Sequence, residues 1–462
     1  MAWRLPLVLV AALALAGCLG GGPSVLPAGS PADLALPEVA WKTPQLASHP
    51  AFGWPTSIDA RLPSGIVPSW WQPIAARALP EQVTKLERVA GPEQAHGGAG
   101  IAVFGSLLAV SGRGTDSGFW LYDIRDPEAP KLLSNPEGTP GRDADFIAYP
   151  DGRLVLVMAS DYGVDPVWDV TDPTAPVLLT EIDPGPRGSH NLVVVPGTPI
   201  FYNSNSNGGG GAPFVGALQP DMATQGTEIY DLTDPANPVL VQDWRNGYGC
   251  HDTTVWIDAA SQKFRAYCAG VDAVQIWDIA DPRAPVVLTT LNMPLLQDGV
   301  PSLTSVPFSP WAHSAEVNHD GTVLMVGDET GGGGAPGCDV YIDAAGRTLS
   351  GPIGNLYFFD LADELKPQLR SWLSPDSTLL TNVATNEPLN CTSHFGREIE
   401  DRNQVVWGFY GQGVLLIDFS DLDHPVILDQ YKDASDTWDA WSWQGYVFTG
   451  DIARGFDVLE PQ

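Results

Sequence analysis

VWDVTDPTAPVLLTEI, residues 167–182, is the stretch on which the fold turns. Alternating apolar residues lead into it, Asp172-Pro173 breaks it, and an apolar run from Val177 leaves it, the pattern of two antiparallel strands joined by a short turn. Near copies recur along the chain: WLYDIRDPEAPKLLS from Trp120, EIYDLTDPANPVLVQDW from Glu228, VQIWDIADPRAPVVLTTL from Val274, YFFDLADELKPQLRSWL from Tyr357 and LLIDFSDLDHPVILDQY from Leu415. GFDVLE, from Gly455, carries the entering strand alone.

The repeated acids have a local explanation. Asp126, Asp172, Asp234 and Asp281 each precede a proline, which fixes φ at the next position while the carboxylate accepts from backbone N–H groups two residues on. Asp123, Asp169, Asp231, Asp278, Asp360, Asp418 and Asp457 stand at the ends of the entering strands, where a backbone bond is again expected. Their spacing is not that of a calcium-binding EF-hand loop.

Two further apolar stretches precede each hairpin, as in HSAEVNHDGTVLMVGDE from His313, where Asp320-Gly321 supplies a turn. Each repeat therefore holds four strands. Four-stranded units at a period of about 40 to 50 residues predict a β-propeller. Six units start near His96, Asp143, His190, His251, His313 and His394, and a seventh from Trp438 lacks its outer strand. VTKLERV, residues 83–89, can supply it, so the expected architecture is all-β: a seven-bladed propeller of four-stranded antiparallel blades, closed by an N-terminal strand. Two glycine-rich insertions, from Ser204 and from Thr330, fall between second and third strands.

The recurring pattern of apolar residues, Asp, apolar residue, small residue and Asp-Pro resembles the LVIVD-repeat propellers of prokaryotic cell-surface proteins. GVLLID, residues 413–418, is the nearest copy, and the resemblance spans about residue 80 to the C-terminus. Glu364 and Leu422 depart from it where proline is expected. The resemblance implies a propeller at the cell surface and says little about biochemical role.

At the N-terminus, Arg4 precedes an apolar run that ends in Leu15-Ala16-Gly17-Cys18. This resembles the lipobox of prokaryotic lipoproteins, with Cys18 as the lipidated residue. The expected organisation is a signal peptide over 1–17, a Pro/Ala/Ser-rich stalk over 18–79 and the propeller over 80–462. Trp41, Trp54, Trp70 and Trp71 imply that the later stalk packs on the propeller. The chain would then be extracytoplasmic, anchored to the membrane by lipid, in a compartment that permits disulfides. Cys250–Cys268 and Cys338–Cys391 are the expected pairs among the four remaining cysteines, on proximity along the strands. A formal charge of −32 disfavours nucleic acid as a partner.

No nucleophile elbow, H-E-x-x-H helix, P-loop or dinucleotide fingerprint is present. The first expected function is accordingly a binding or scaffolding module that engages a protein, glycan or small ligand through its insertion-bearing face. The alternative is a metal-dependent enzyme. His96, His190, His251, His313 and His394 all stand at the start of a blade's first strand, nearest the axis, where imidazoles suit copper, zinc or iron. Asp252, Glu316 and Asp439 are close enough in sequence to serve as ligands or to orient the imidazoles. In topology the arrangement resembles propellers with a histidine-bound central metal, such as the selenium-binding-protein family. The same positions also admit an architectural role, in which each histidine bonds a neighbouring blade and locks its loop.

Overall fold

The computed structural model describes residues 77–462 apart from 94–95, 114–117, 137, 139–140, 150, 161–162, 186–187, 205–225, 245–247, 259–260, 271–272, 294–310, 331–337, 339, 343–347, 351–352, 376–390, 401 and 433–436. The expected signal peptide, most of the expected stalk and the glycine runs of both insertions lie outside the described residues.

The six complete hairpins fold as their turn residues dictate. The second aspartate of each accepts from the backbone N–H two residues on, at 3.0–3.2 Å. Its carbonyl accepts from the third residue on, at 2.9–3.0 Å. The first aspartate of each does the same two residues on, at 2.8–2.9 Å. These acids are turn-makers with local partners. Asp457, at the truncated seventh copy, differs: its carboxylate pairs with Arg454 and, at 2.6 Å, with Arg88 near the start of the described chain.

Each hairpin is the outer half of a four-stranded antiparallel sheet, and the described residues form seven such sheets and no α-helix. The strands nearest the axis are Ile101–Phe104, Asp143–Ala148, Asn191–Val194, Asp252–Asp258, Ala312–Val317, Ser393–Glu398 and Thr437–Trp443. The seventh sheet takes its outer strand from the other end of the chain. Leu86–Ala90 pairs antiparallel with Gly455–Pro461, in the register Leu86↔Pro461 and Glu87↔Glu460. Gln404 reinforces the closure by bonding both backbone groups of Val83, at 3.0 and 2.8 Å. The chain already packs on the propeller at Arg77, whose N–H donates to Gln444 O at 3.1 Å, three residues before the expected boundary at 80.

Apolar clusters fill the spaces between neighbouring sheets. Phe119, Leu121, Phe146 and Trp168 join the first to the second, Tyr202 and Trp277 the third to the fourth, and Phe448 and Phe456 the seventh to the first. Each such side chain contributes about 1.5–3 kcal/mol on burial, so face-to-face stacking of the sheets is the main stabilising term. Both expected disulfides are present. Cys250–Cys268 and Cys338–Cys391 each hold their Cα atoms 5.2 Å apart. One anchors the residue before His251, and the other ties the second insertion to the chain entering the sixth sheet.

Candidate metal centre and the pore beneath it

Four of the five expected histidines converge on the axis. Ring centroids lie 4.3 Å apart from His190 to His251, 4.2 Å from His251 to His313 and 4.0 Å from His313 to His394. His394 then meets Trp438 at 4.8 Å. The Arg142 guanidinium covers Trp438 at 4.4 Å, and its Nη2 donates to His190 Nε2 at 2.7 Å. One side chain from each of sheets two to seven thus forms a closed belt across the channel.

Backbone irregularity aims several of these side chains. Register shifts by one residue at His313, within the pair His394-Phe395, and at Trp438. A β-bulge of this kind turns the extra residue out of the alternating pattern, here toward the axis. Gly396 permits the bulge in the sixth sheet, since a Cβ there would lie 2.2 Å from Val406 O.

His96 does not join the belt. The residue whose N–H meets the end of the second strand is His190 in the third sheet, bonding Ser204 O, and His251 in the fourth, bonding Ala269 O. In the first sheet that residue is Ala99, bonding Ser111 O, so His96 stands three residues too early. It stacks on Trp120 at 3.8 Å and bonds Tyr122 Oη at 2.8 Å instead.

Within the belt the histidines are not equivalent. Arg142 can only donate, so the lone pair of His190 Nε2 is already engaged. His394 Nδ1 lies 2.6 Å from Trp438 O, which can only accept; the proton is therefore on Nδ1, and Nε2 carries a free lone pair. That nitrogen has no hydrogen-bond partner, nor has Nδ1 of His251, nor has either ring nitrogen of His313. His313 and His394 are 0 % exposed. Burial, then the neighbouring imidazoles and Arg142, hold the pKa of His251 and His313 well below 6.5; burial leads for His394 as well. All three are neutral bases at pH 7.

Glu329 completes the group. Its carboxylate lies 3.5 Å from His313 Nε2 and 3.7 Å from His394 Nε2. Donor atoms of His251, His313 and Glu329 all fall within 4.8 Å of one another, the only such set of three among the described residues. Burial pushes Glu329 up to about 7, against the opposing pull of Arg142 and a Tyr410 hydrogen bond. Asp328 holds the segment in place by accepting from the N–H groups of Trp311, Thr330 and Gly354 at 2.8–2.9 Å. Glu329 has a trace in sequence: it makes a pair of acids at a strand exit where other blades have Ala159-Ser160, Ala269-Gly270 or, with a single acid, Asp451-Ile452.

Asp252, Glu316 and Asp439 do not orient the imidazoles. They line a recess on the other side of the belt, with Asp143, Arg397, Phe395 and Trp441. Asp252 and Asp439 directly follow belt residues and line the recess with their carboxyl groups. Glu316 stands three residues past His313, about 10 Å farther along the strand at 3.3 Å per residue. Arg397 Nη1 bonds Glu316 Oε2 at 2.6 Å, while its guanidinium covers the Trp441 ring at 4.9 Å. Burial raises the acids against the pull of that one cation: Asp143 to about 6, Asp252 and Asp439 to about 7, Glu316 to about 8. Phe395 separates the two chambers, with its ring 4.7 Å from His313 and 4.4 Å from His394 and a place in the recess wall.

No family model and no curated protein matches the chain. Among solved structures it is similar to Sqt1 of Saccharomyces cerevisiae, with 12% identity over 78% of this chain and 81% of that one, at a TM-score of 0.48. It is also similar to the propeller domain of Myceliophteria thermophila Cps50 (Swd1), with 10% identity, 83% and 100% covered and a TM-score of 0.46. The WD40 propeller domain of Doa1 matches at 10% identity, with 82% and 98% covered and a TM-score of 0.48. Such likeness concerns the propeller fold alone.

Proposed function

We propose that the chain is a binding propeller whose ligand is a transition-metal ion held by His251, His313 and Glu329, with the open Nε2 of His394, 3.7 Å from Glu329, closing in as a fourth ligand. The observation that carries this reading is His313, a fully buried imidazole with no hydrogen bond to either nitrogen. Leaving a buried polar atom unpaired costs about 1–3 kcal/mol, and an ion is one of the few occupants that removes the cost for several nitrogens at once. Ligand atoms around a tetrahedral ion at about 2.0–2.2 Å are separated by roughly 3.4 Å, close to the 3.5 Å between Glu329 Oε2 and His313 Nε2. Three neutral imidazoles and a carboxylate suit zinc, copper(II) or iron. The Trp438 carbonyl on His394 Nδ1 is the outer partner that metal-bound histidines usually have.

The setting we propose is the extracytoplasmic face of a membrane, on the strength of the Leu15-to-Cys18 lipobox and of two disulfides, which persist in oxidising compartments. The LVIVD-like repeats accord with a cell-surface location. Chelator-treated protein titrated with Zn²⁺ and Cu²⁺ in a calorimeter should bind one ion per chain. Glu329→Gln should weaken that binding by about ten- to hundredfold, and His251→Ala with His313→Ala should abolish it while the circular dichroism persists. Equal affinity in all three proteins would refute the assignment.

A further inference from the structure

We infer that the recess beneath the belt is a binding site for a small organic cation, a primary ammonium on an aliphatic body. Five carboxyl residues from four sheets line it, Asp143 and Asp145 from one and Asp252, Glu316 and Asp439 from three others, and Arg397 is the one cation in its wall. The acids alone would not make a site. Glu316 does: it is 1 % exposed and forms part of the wall, its Oε2 is bonded by Arg397, and its Oε1 has no hydrogen-bond partner. A buried carboxyl oxygen in that state leaves a hydrogen-bonding position open to a ligand.

The shape of the recess selects the class of ligand. A metal ion requires donors gathered within a few ångströms, and the three-donor set found among the described residues contains none of these acids. The space open to the centres of water-sized molecules is about 70 Å³, several times the roughly 10–15 Å³ that one water needs, so the recess holds more than a single ion. Its wall also carries Ile101, Leu192, Val194, Phe395 and Trp441, an apolar surface for a hydrocarbon chain. Arg397 over Trp441 shows that the wall accepts a cation against an aromatic face. Pro196, just beyond the end of an inner strand, reaches the recess, so its mouth faces away from Glu329. The ligand therefore enters from the face opposite the metal centre, and its binding does not depend on the metal reading.

Calorimetric titration of the full-length protein with 1,5-diaminopentane in low-salt buffer tests this. Saturable binding of one diamine per chain is expected, with no binding of uncharged 1,5-pentanediol. Glu316→Gln and Asp439→Asn should each weaken the diamine at least about tenfold. Should Glu316→Gln fail to fold, Asp439→Asn and Asp143→Asn, on other sheets, carry the same reading. Glu329→Gln, across the Phe395 partition, should leave diamine affinity unchanged, which separates this proposal from the metal assignment. The inference is overturned by absence of saturable diamine binding, by less than about twofold weakening in the acid variants, or by Ca²⁺ or Mn²⁺ occupying the recess in place of the diamine.

Discussion

The outer hairpins and the axial belt are both built from repeated residues, yet they differ in how those residues are satisfied. Asp172 in its hairpin accepts from Thr174 N at 3.0 Å and from the Thr174 hydroxyl at 2.6 Å, all within three residues of chain. Neither ring nitrogen of His313 in the belt has a hydrogen-bond partner. Repetition alone therefore does not separate architecture from chemistry; accounting for partners does. A repeated group whose polar atoms are filled locally makes turns, and one whose buried atoms stay open is held for something else.

Both classes of position depend on the closed ring, and opening it should have the largest effect. Deleting residues 455–462 removes Phe456, Val458 and Leu459, all fully buried, and leaves Leu86–Ala90 without a partner. At about 2–5 kcal/mol for each large apolar side chain, the loss matches the whole stability of a typical domain. No cooperative melting transition is expected in the truncated protein. A transition at the full-length temperature would break the comparison at its base.

The pore acids give a pH signature that the hairpin acids lack. Glu316 faces Arg397, Thr254, Asp252 and Asp439, and its folded pKa of about 8 lies above the unfolded value of 4.5. The folded state thus retains a proton that the unfolded chain has released, and stability falls as pH rises toward 8. The buried histidines act in the opposite sense, with pKa values below 6.5 in the folded state, so the unfolded chain gains protons as pH drops through 6.5. Above the histidine value only the acid contribution still changes, so metal-free protein should lose stability from about pH 7 to about 8. Glu316→Gln should flatten the upper limb in urea titrations across that window. A flat or rising limb in the unmodified protein contradicts these assignments.

The smallest effects sharpen the contrast most. Asp172→Ala should lower stability by about 1 kcal/mol through loss of local bonds. His313→Leu in metal-free protein should leave stability unchanged or raise it by about 1 kcal/mol, because an unpaired polar ring gives way to an apolar side chain. Paired denaturation curves check both. A loss on His313→Leu equal to that on Asp172→Ala would mean that the belt, too, is architecture.

The fold was legible in the sequence because its determinants are local: Asp-Pro turns, period-two strands and an orphan strand at each end. The disulfides followed from strand neighbours. The site was legible only to the level of the blade. Repeat spacing placed His96 beside the other histidines, but a three-residue offset puts Ala99 at the equivalent position. The bulges at His313, His394-Phe395 and Trp438 carry no composition signal, so which neighbours face the imidazoles could not be read. Asp252, Glu316 and Asp439 line the recess instead. Arg142 meets His190, and Glu329 meets His394, through contacts between sheets, which no spacing along the chain encodes.

Crystals of protein purified without chelator, with diffraction recorded above and below the zinc, copper and iron absorption edges, test the central claim most directly. A single anomalous peak is expected among His251, His313, His394 and Glu329, absent from His251→Ala/His313→Ala protein. No peak there after soaking in all three metal salts, with the rings as close as they are here, would contradict it.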